Sequence, residues 1–212
     1  MSRLRANISV SVDGYSAGAE QSEENPLGVG GTHLHEWVIP LRAWRETHGY
    51  EGGEENESSA VVERMFENVG AILMGRNMFG GGPGPWADDW KGWWGDEPPF
   101  HHPVFVLTHH PREPLEMQGG TTFHFVTDGI ESALAQAREA AGGQDVSLGG
   151  GAATIQQYLA AGLLDEILIS IAPVLLGGGT RLFDNLGDAP PKLEQIEAVA
   201  APGVTHIRYR VA

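Results

Sequence analysis

The stretch Val146-Ser147-Leu148-Gly149-Gly150-Gly151-Ala152 decides how the rest of this 212-residue chain is interpreted. It runs from a short apolar strand through three consecutive glycines directly into a helical pattern. Glycine lets the backbone approach a ligand closely, and the free N–H groups at a helix start favour an anion such as phosphate. The stretch therefore predicts either a cradle for a diphosphate or a tight strand-to-helix turn without a ligand.

Apolar runs of strand length alternate with helical patterns on both sides of this stretch. Strands are predicted at 4–12, 71–74, 104–107, 122–126, 145–148 and 166–176, with an edge or hairpin strand at 204–211. Helices are predicted at 34–47 with a kink at Pro40, and at 58–68, 130–141 and 152–164. This alternation predicts an α/β fold with a largely parallel sheet, and the chain length favours one domain over residues 1–212.

Composition excludes several classes of function. The formal net charge is −15, and the 13 Lys and Arg residues are scattered singly, which disfavours nucleic-acid binding. We interpret the excess of acidic residues as a surface that keeps the protein soluble. The absence of cysteine excludes disulfides, thiolate nucleophiles, iron–sulfur clusters and thiolate zinc sites. No apolar signal region opens the chain, and no apolar run approaches the roughly 20 residues that cross a bilayer. We expect a cytoplasmic protein with no membrane partner.

Two further strand ends carry polar groups. Met74-Gly75-Arg76-Asn77-Met78 follows one buried strand, and Leu107-Thr108-His109-His110 ends another. The carboxyl ends of parallel strands are where α/β sheets bind ligands, and a guanidinium suits a phosphate. A lone arginine at such a position is more often a surface residue or an ion-pair partner, and no G-x-G-x-x-G fingerprint accompanies the glycines. Together, an arginine, a hydroxyl and a glycine turn predict the phosphate site of a dinucleotide.

Four segments carry a family resemblance: Ile72-Leu73-Met74-Gly75-Arg76, Val106-Leu107-Thr108, Leu148-Gly149-Gly150-Gly151 and Leu164-Asp165-Glu166-Ile167. Together they resemble dihydrofolate reductase and the reductase domain of the riboflavin-biosynthesis deaminase/reductase. Ser11-Val12-Asp13-Gly14 and the run 171–177 are closer to the riboflavin-type domain. The resemblance spans nearly the whole chain and implies a dihydrofolate-reductase-like, mixed and mostly parallel central sheet flanked by helices. The deaminase partner needs a cysteine-containing zinc site, so we expect a stand-alone reductase-type domain.

The resemblance also implies NADPH as the cofactor, with Gly75, Arg76 and Thr108 around the adenosine 2′-phosphate and the glycine turn along the diphosphate. The expected cofactor residues are Gly75, Arg76, Met78, Thr108, His109, Gly149, Gly150, Gly151, Ala152, Ala153 and Thr154. The Asp13-Gly14 loop would lie over the nicotinamide and the substrate. Asp13 is thus the candidate catalytic acid, although an Asp before Gly at a strand end is also a common turn former.

Two departures leave the substrate open. The riboflavin-type domain has a substrate-contacting Glu where this chain has Gly149, and the acidic residue on the first helix of dihydrofolate reductase is replaced by Leu41 and Arg42. The expected reaction is hydride transfer to a small pteridine-like or pyrimidine-like heterocycle. A non-catalytic nucleotide-binding or sensor homodimer, and a scaffold homodimer that has lost both ligands, are the alternatives.

The remaining motifs have two interpretations each. The Trp-rich segment 83–100 is either a lid over a flat substrate, with Trp86 as a contact, or a packing or dimer surface. The histidines at 33, 35, 101, 102, 109 and 110 lack metal-binding spacing, so we expect no metal. Gly177-Gly178-Gly179 shapes a dimer edge or a substrate rim. The apolar run 167–176 followed by these glycines predicts a homodimer.

Overall fold

The structure is a computed structural model that describes residues 2–87 and 89–212. Its strands in chain order are β1 (Leu4–Ser11), β2 (Tyr15–Ala17), β3 (Val69–Gly75), β4 (Pro103–Leu107), β5 (Leu115–Glu116), β6 (Thr122–Val126), β7 (Asp145–Leu148), β8 (Glu166–Ala172), β9 (Thr180–Arg181), β10 (Leu193–Ala201) and β11 (Val204–Val211). Its α-helices are α1 (Arg42–Thr47), α2 (Ser59–Phe66), α3 (Arg76–Phe79), α4 (Ile130–Ala140) and α5 (Ala152–Ala160), and short 3₁₀ helices span Gly31–His35 and Gln118–Gly120.

The main sheet has nine strands in the order β10-β11-β8-β1-β7-β3-β4-β6-β5, and β2 pairs separately with β9. The strands from β8 to β6 run parallel, whereas β11 pairs antiparallel with β8, β10 with β11, and β5 with β6. This arrangement confirms the predicted α/β fold with a mixed, mostly parallel central sheet.

The helices cover the sheet because each has one apolar face. In α5, Ile155, Tyr158 and Leu159 are buried, and in α4 the small residues Ala133 and Ala137 allow close packing on the strands. Burying one large aliphatic or aromatic side chain stabilises a fold by about 1.5–3 kcal/mol, so these faces hold the layers together. None of the helices in the described part of the chain is long and apolar enough to cross a bilayer.

The structure corrects several predicted boundaries. The helix expected at 34–47 is instead a 3₁₀ turn and the separate α1, because Pro40 stands between them. The strand expected at 166–176 ends at Ala172, immediately before Pro173. The strand at 204–211 is confirmed as part of a hairpin, but its partner β10 forms the sheet edge and was not predicted.

The strand register opens a crevice at the carboxyl ends of the parallel strands. The last pair between β1 and β7 is Ala6 with Leu148, whereas β1 continues to Ser11 with only β8 beside it. The chain places β3, β4 and β6 on one side of β1 and β8 on the other. Such a reversal of strand order is where open α/β sheets bind ligands.

Candidate active site

A cleft of about 940 Å³ lies over this crevice. One side, here called the β7 half, is formed by residues 75–78, 107–110, 126–127, 129–130 and 149–154. The other, called the β1 half, is formed by residues 7–9, 16–17, 21, 26–27, 35, 37–38, 65, 170 and 180. Gln157, Pro83, Gly84, Trp93 and Trp94 complete the described lining. The volume lies at the upper end of the range for ligand clefts, which is about 300–1,000 Å³.

Two glycine turns meet in the β7 half. The N–H of Gly75 donates to the carbonyl oxygen of Gly150 at 2.9 Å, and the N–H of Gly149 donates to that of Leu73 at 2.9 Å. A Cβ atom at Gly75 would collide with Oγ1 of Thr154. Glycine at position 75 therefore lets the turn after β3 pack directly against the start of α5.

The start of α5 has features that suit an anion. Gly151 caps the helix without a side-chain hydrogen bond, and its carbonyl oxygen accepts the N–H groups of Thr154 (3.0 Å) and Ile155 (3.2 Å). The N–H groups of Ala152 and Ala153 have no partner within the helix. The first turn contains no acidic side chain, and Ala153 is exposed in the cleft. The positive end of the helix dipole thus faces the cleft, which fits a phosphate group.

Most of the hydrogen bonds of the Arg76 guanidinium go to the loop that follows α3. Its Nε donates to the carbonyl oxygen of Gly80 at 3.1 Å, and its Nη2 donates to those of Gly81 and Gly82, each at 2.9 Å. Its guanidinium also lies 3.2 Å from the centre of the Trp86 ring. Nη1 is buried without a hydrogen-bond partner in the described structure, and burial and the neighbouring Arg112 lower the pKa of Arg76. Nη1 is therefore the guanidinium nitrogen of Arg76 that has no hydrogen-bond partner in the described structure.

All of the predicted cofactor residues line this one cleft. Thr108 is buried, and its Oγ1 accepts the N–H of His110 at 3.1 Å, whereas His109 is exposed. Met78 lies beside the glycine turn, since a Cβ at Gly149 would stand 3.2 Å from its Cε. The carboxyl ends of β3, β4 and β7 bring these residues together.

The structure places Asp13, the predicted catalytic and substrate-side acid, against a loop, and its catalytic role stays a prediction. Neither Asp13 nor Gly14 is among the described residues that line the cleft. The carboxylate accepts the N–H groups of Leu176 at 3.1 Å and Gly177 at 2.7 Å. Hydrogen bonds from the Ser11 hydroxyl and from these amides lower the pKa of Asp13 to about 2. Asp13 therefore anchors a loop and stays deprotonated near neutral pH.

Trp86 is likewise outside the described lining, and the substrate contact expected of it stays a prediction. Its Nε1 donates to the carbonyl oxygen of His110 at 2.8 Å, and its ring packs edge-on against Phe79 and Phe125. In the same Trp-rich segment, Trp93 and Trp94 do line the cleft. The structure therefore shows packing at Trp86 and cleft lining at the later tryptophans, and the lid over a substrate stays a prediction.

A polar row that the sequence interpretation missed lies under the β1 half. Register places Ser9 beside Ser170 and Ser170 beside His206. Hydrogen bonds of 2.9 Å join Nδ1 of His206 to Ser170 Oγ and Nε2 to Ser58 Oγ, and Trp37 Nε1 donates to Ser9 Oγ at 3.3 Å. Burial lowers the pKa of His206 to about 4. A serine inside each of two apolar strand runs was the available signal.

His35 is the one histidine in the β1 half of the described cleft. Its Nδ1 is buried without a well-formed hydrogen bond, and burial lowers the pKa of the imidazole, which a contact with the Gly31 backbone partly opposes. In residues 2–87 and 89–212, no three His, Asp or Glu side chains lie close enough to hold a metal ion together.

Comparison with known proteins gives a family and a set of similar folds. The sequence profile described as RibD C-terminal domain matches residues 3–207. No curated protein matches the chain significantly. A solved protein from Shewanella sp. PV-4, assigned provisionally to riboflavin biosynthesis, has a TM-score of 0.63 and 24% identity over 99% of both chains.

Two larger proteins show the same fold. RibD from Acinetobacter baumannii has a TM-score of 0.59 and 14% identity over all of this chain and 58% of its own. The diaminohydroxyphosphoribosylaminopyrimidine deaminase/5-amino-6-(5-phosphoribosylamino)uracil reductase from Thermotoga maritima has a TM-score of 0.57 and 13% identity over all of this chain and 57% of its own. The present chain thus spans a little over half the length of each.

Proposed function

Because the chain belongs to the RibD C-terminal domain family, we propose that it is an NADPH-dependent reductase that transfers a hydride to a small heterocyclic, pteridine-like or pyrimidine-like substrate. The observation that carries this proposal is the start of α5. There a glycine turn at the carboxyl end of β7 leaves the N–H groups of Ala152 and Ala153 open to a large cleft. A helix start of this kind favours the diphosphate of a dinucleotide.

The donors present in the β7 half suit the parts of NADPH. The amides of Ala152 and Ala153 would hold the diphosphate, and Arg76 would meet the adenosine 2′-phosphate, with Thr108 and His109 beside it. Gly150 has φ of +116°, a conformation that glycine adopts readily. Because glycine has no side chain, the turn at this position leaves room for a ligand. When bound, NADPH supplies a hydride from C4 of its nicotinamide ring.

The residues of the chain position the substrate and limit water. The β1 half adjoins the glycine turn, because β1 is the neighbour of β7 in the sheet. Trp93 and Trp94 add apolar surface to the cleft. Holding two reactants in contact lowers the activation barrier, because the entropic cost of bringing them together is met by binding. This positioning is the main contribution expected of the residues that line the cleft.

Fluorescence titration with NADPH and NADH, followed by NADPH oxidation with candidate heterocycles, tests the proposal. Tighter binding of NADPH than of NADH, and its oxidation with at least one pteridine or pyrimidine, are expected. A protein that binds NADPH but never oxidises it would instead be the nucleotide sensor considered above. Absence of NADPH binding at millimolar concentration would refute the proposal.

A homodimer is part of the same proposal. Strand β10 forms the sheet edge and exposes Leu193 and Ile196. Leu175 is 77% exposed, and Val12, whose N–H donates to the carbonyl oxygen of Val174, is 62% exposed. Two-fold pairing is the commonest way for a soluble protein to cover such surface. Light scattering at micromolar concentration is expected to give twice the chain mass, and a monomer mass would contradict it.

A further inference from the structure

The cleft contains very little charge. Among the described residues that line it, Arg76 is the only Asp, Glu, Lys or Arg, in a chain that has 28 acidic and 13 basic residues. Arg76 belongs to the β7 half, where most of its donors are bonded to glycine carbonyls. The charge distribution therefore separates a half that suits phosphate from a half that does not.

The described lining of the β1 half consists of neutral groups. Asn7, Ser9 and Ser170 supply an amide and hydroxyls, and Ile8, Trp37 and Met65 supply apolar surface. His35 is its one titratable side chain, and because burial lowers the pKa of this imidazole it is uncharged near neutral pH. Behind the wall, His206 is also neutral, since its pKa is lowered to about 4.

A charged substrate would be poorly compensated in such a site. A phosphate monoester carries about 1.5–2 negative charges at neutral pH, and burying a charge without a partner costs several kcal/mol. A cationic ring would need a carboxylate, and none lines the described cleft. The overall charge of −15 repels anions further.

We propose that the β1 half accepts an uncharged heterocycle that bears a reducible carbonyl group and no phosphate group. This inference rests on the proposed reductase function and narrows its substrate class. The name of the Thermotoga protein specifies a phosphoribosyl substrate, so the two proteins would differ at this point. In the reaction, the hydride adds to the carbonyl carbon, the π electrons move to oxygen, and one proton from solvent completes the alcohol, while NADPH becomes NADP⁺.

A matched pair of hydride acceptors tests this inference. The probes are 1,2-naphthoquinone and its 4-sulfonate, which differ by one negative charge, and the readout is NADPH oxidation by the full chain. Assays in about 1 M salt reduce the screening length to about 3 Å, so that distant surface charge has little effect. We expect kcat/KM to be at least about tenfold higher for the uncharged quinone, which corresponds to about 1.4 kcal/mol.

Three results overturn the inference or its premise. Equal or faster turnover of the sulfonate overturns it. So does failure to reduce either quinone while fluorescence titration shows bound NADPH, and in that case the cofactor assignment stands. Failure of NADPH to bind overturns the proposed function itself, together with this inference.

A pair of charge variants localises the effect. Gln21 is exposed in the β1 half, whereas Gln118 is exposed and outside the described lining of the cleft. Gln21→Lys is expected to reduce the preference for the uncharged quinone by about tenfold. Gln118→Lys adds the same charge elsewhere and is expected to leave the preference unchanged. An equal reduction in both variants would mean that overall charge, not the β1 half, selects the substrate, and would overturn the inference.

Discussion

Replacing Ala153 by glutamate separates a phosphate site from a simple structural turn. Ala153 is exposed in the first turn of α5, which contains no acidic residue. A carboxylate at a helix N-terminus interacts favourably with the helix dipole, by about 0.3–1 kcal/mol. The fold of Ala153→Glu is therefore expected to be as stable as the parent or slightly more stable, with Tm raised by up to about 3 °C.

The same carboxylate would oppose a bound diphosphate. Two like charges about 5 Å apart repel by roughly 0.8 kcal/mol in water and more in a partly buried cleft, and the diphosphate carries two charges. We expect NADPH to lose roughly 2–3 kcal/mol of binding free energy, which corresponds to about 30- to 150-fold weaker binding. Stability and cofactor affinity thus change in opposite directions.

Fluorescence titration and thermal melting of Ala153→Glu and Ala153→Gln give both quantities, and the glutamine variant controls for side-chain size. Gly150 is a poorer choice for this test, because its φ of +116° would add backbone strain to any substitution. If Ala153→Glu binds NADPH within about threefold of Ala153→Gln, the assignment of the α5 start to the diphosphate is refuted.

Three further variants test individual side chains. Arg76→Ala is expected to remove most of the preference for NADPH over NADH, which is about 1.5–3 kcal/mol of binding free energy. It should also lower Tm, because the carbonyl groups of the loop at 80–84 lose their hydrogen-bond donor. Equal affinities of the parent for the two cofactors would contradict the role of Arg76. Folded His206 has its pKa lowered from 6.5 to about 4, so its contribution to stability is present above pH 6.5 and is lost as the pH falls towards 4. When the pH is lowered from about 7.5 to about 4.5, the free energy of unfolding, measured by urea denaturation, should fall by roughly 2 kcal/mol more in the parent than in His206→Gln. Parallel curves of unfolding free energy against pH for the two proteins would refute this. Asp13→Asn is expected to lower Tm near neutral pH and to leave kcat unchanged. The reason is that the carboxylate, whose pKa is about 2, accepts hydrogen bonds from the amides of Leu176 and Gly177. A large fall in kcat at unchanged Tm would instead identify Asp13 as the catalytic acid.

Periodicity predicted the buried strands well because each is a short apolar run with a glycine or proline near its end. Strands β6 and β7 have the predicted bounds, and the sheet class follows from the alternation of strands and helices. Strand β10 was missed because it lies at the sheet edge, where most of its residues are exposed and no apolar alternation is required.

The candidate site was predictable to the extent that strand ends define it. The carboxyl ends of parallel strands converge, so Gly75, Thr108 and Gly149 line one cleft although they are far apart in sequence. The direction of a side chain beyond a strand end depends on distant partners. Asp13 turns towards Leu176 and Gly177, and His206 joins Ser58 and Ser170, through contacts that local sequence patterns do not encode.

Amide chemical shifts in a ¹H–¹⁵N correlation spectrum, recorded with and without NADPH, test most directly whether the β7–α5 turn holds the cofactor. We expect the largest shifts on saturation at Gly151, Ala152 and Ala153, and no shift at Gly178, which lies in a glycine loop outside the described lining. A spectrum in which NADPH saturates the protein but leaves Gly151 to Ala153 unshifted would contradict this expectation.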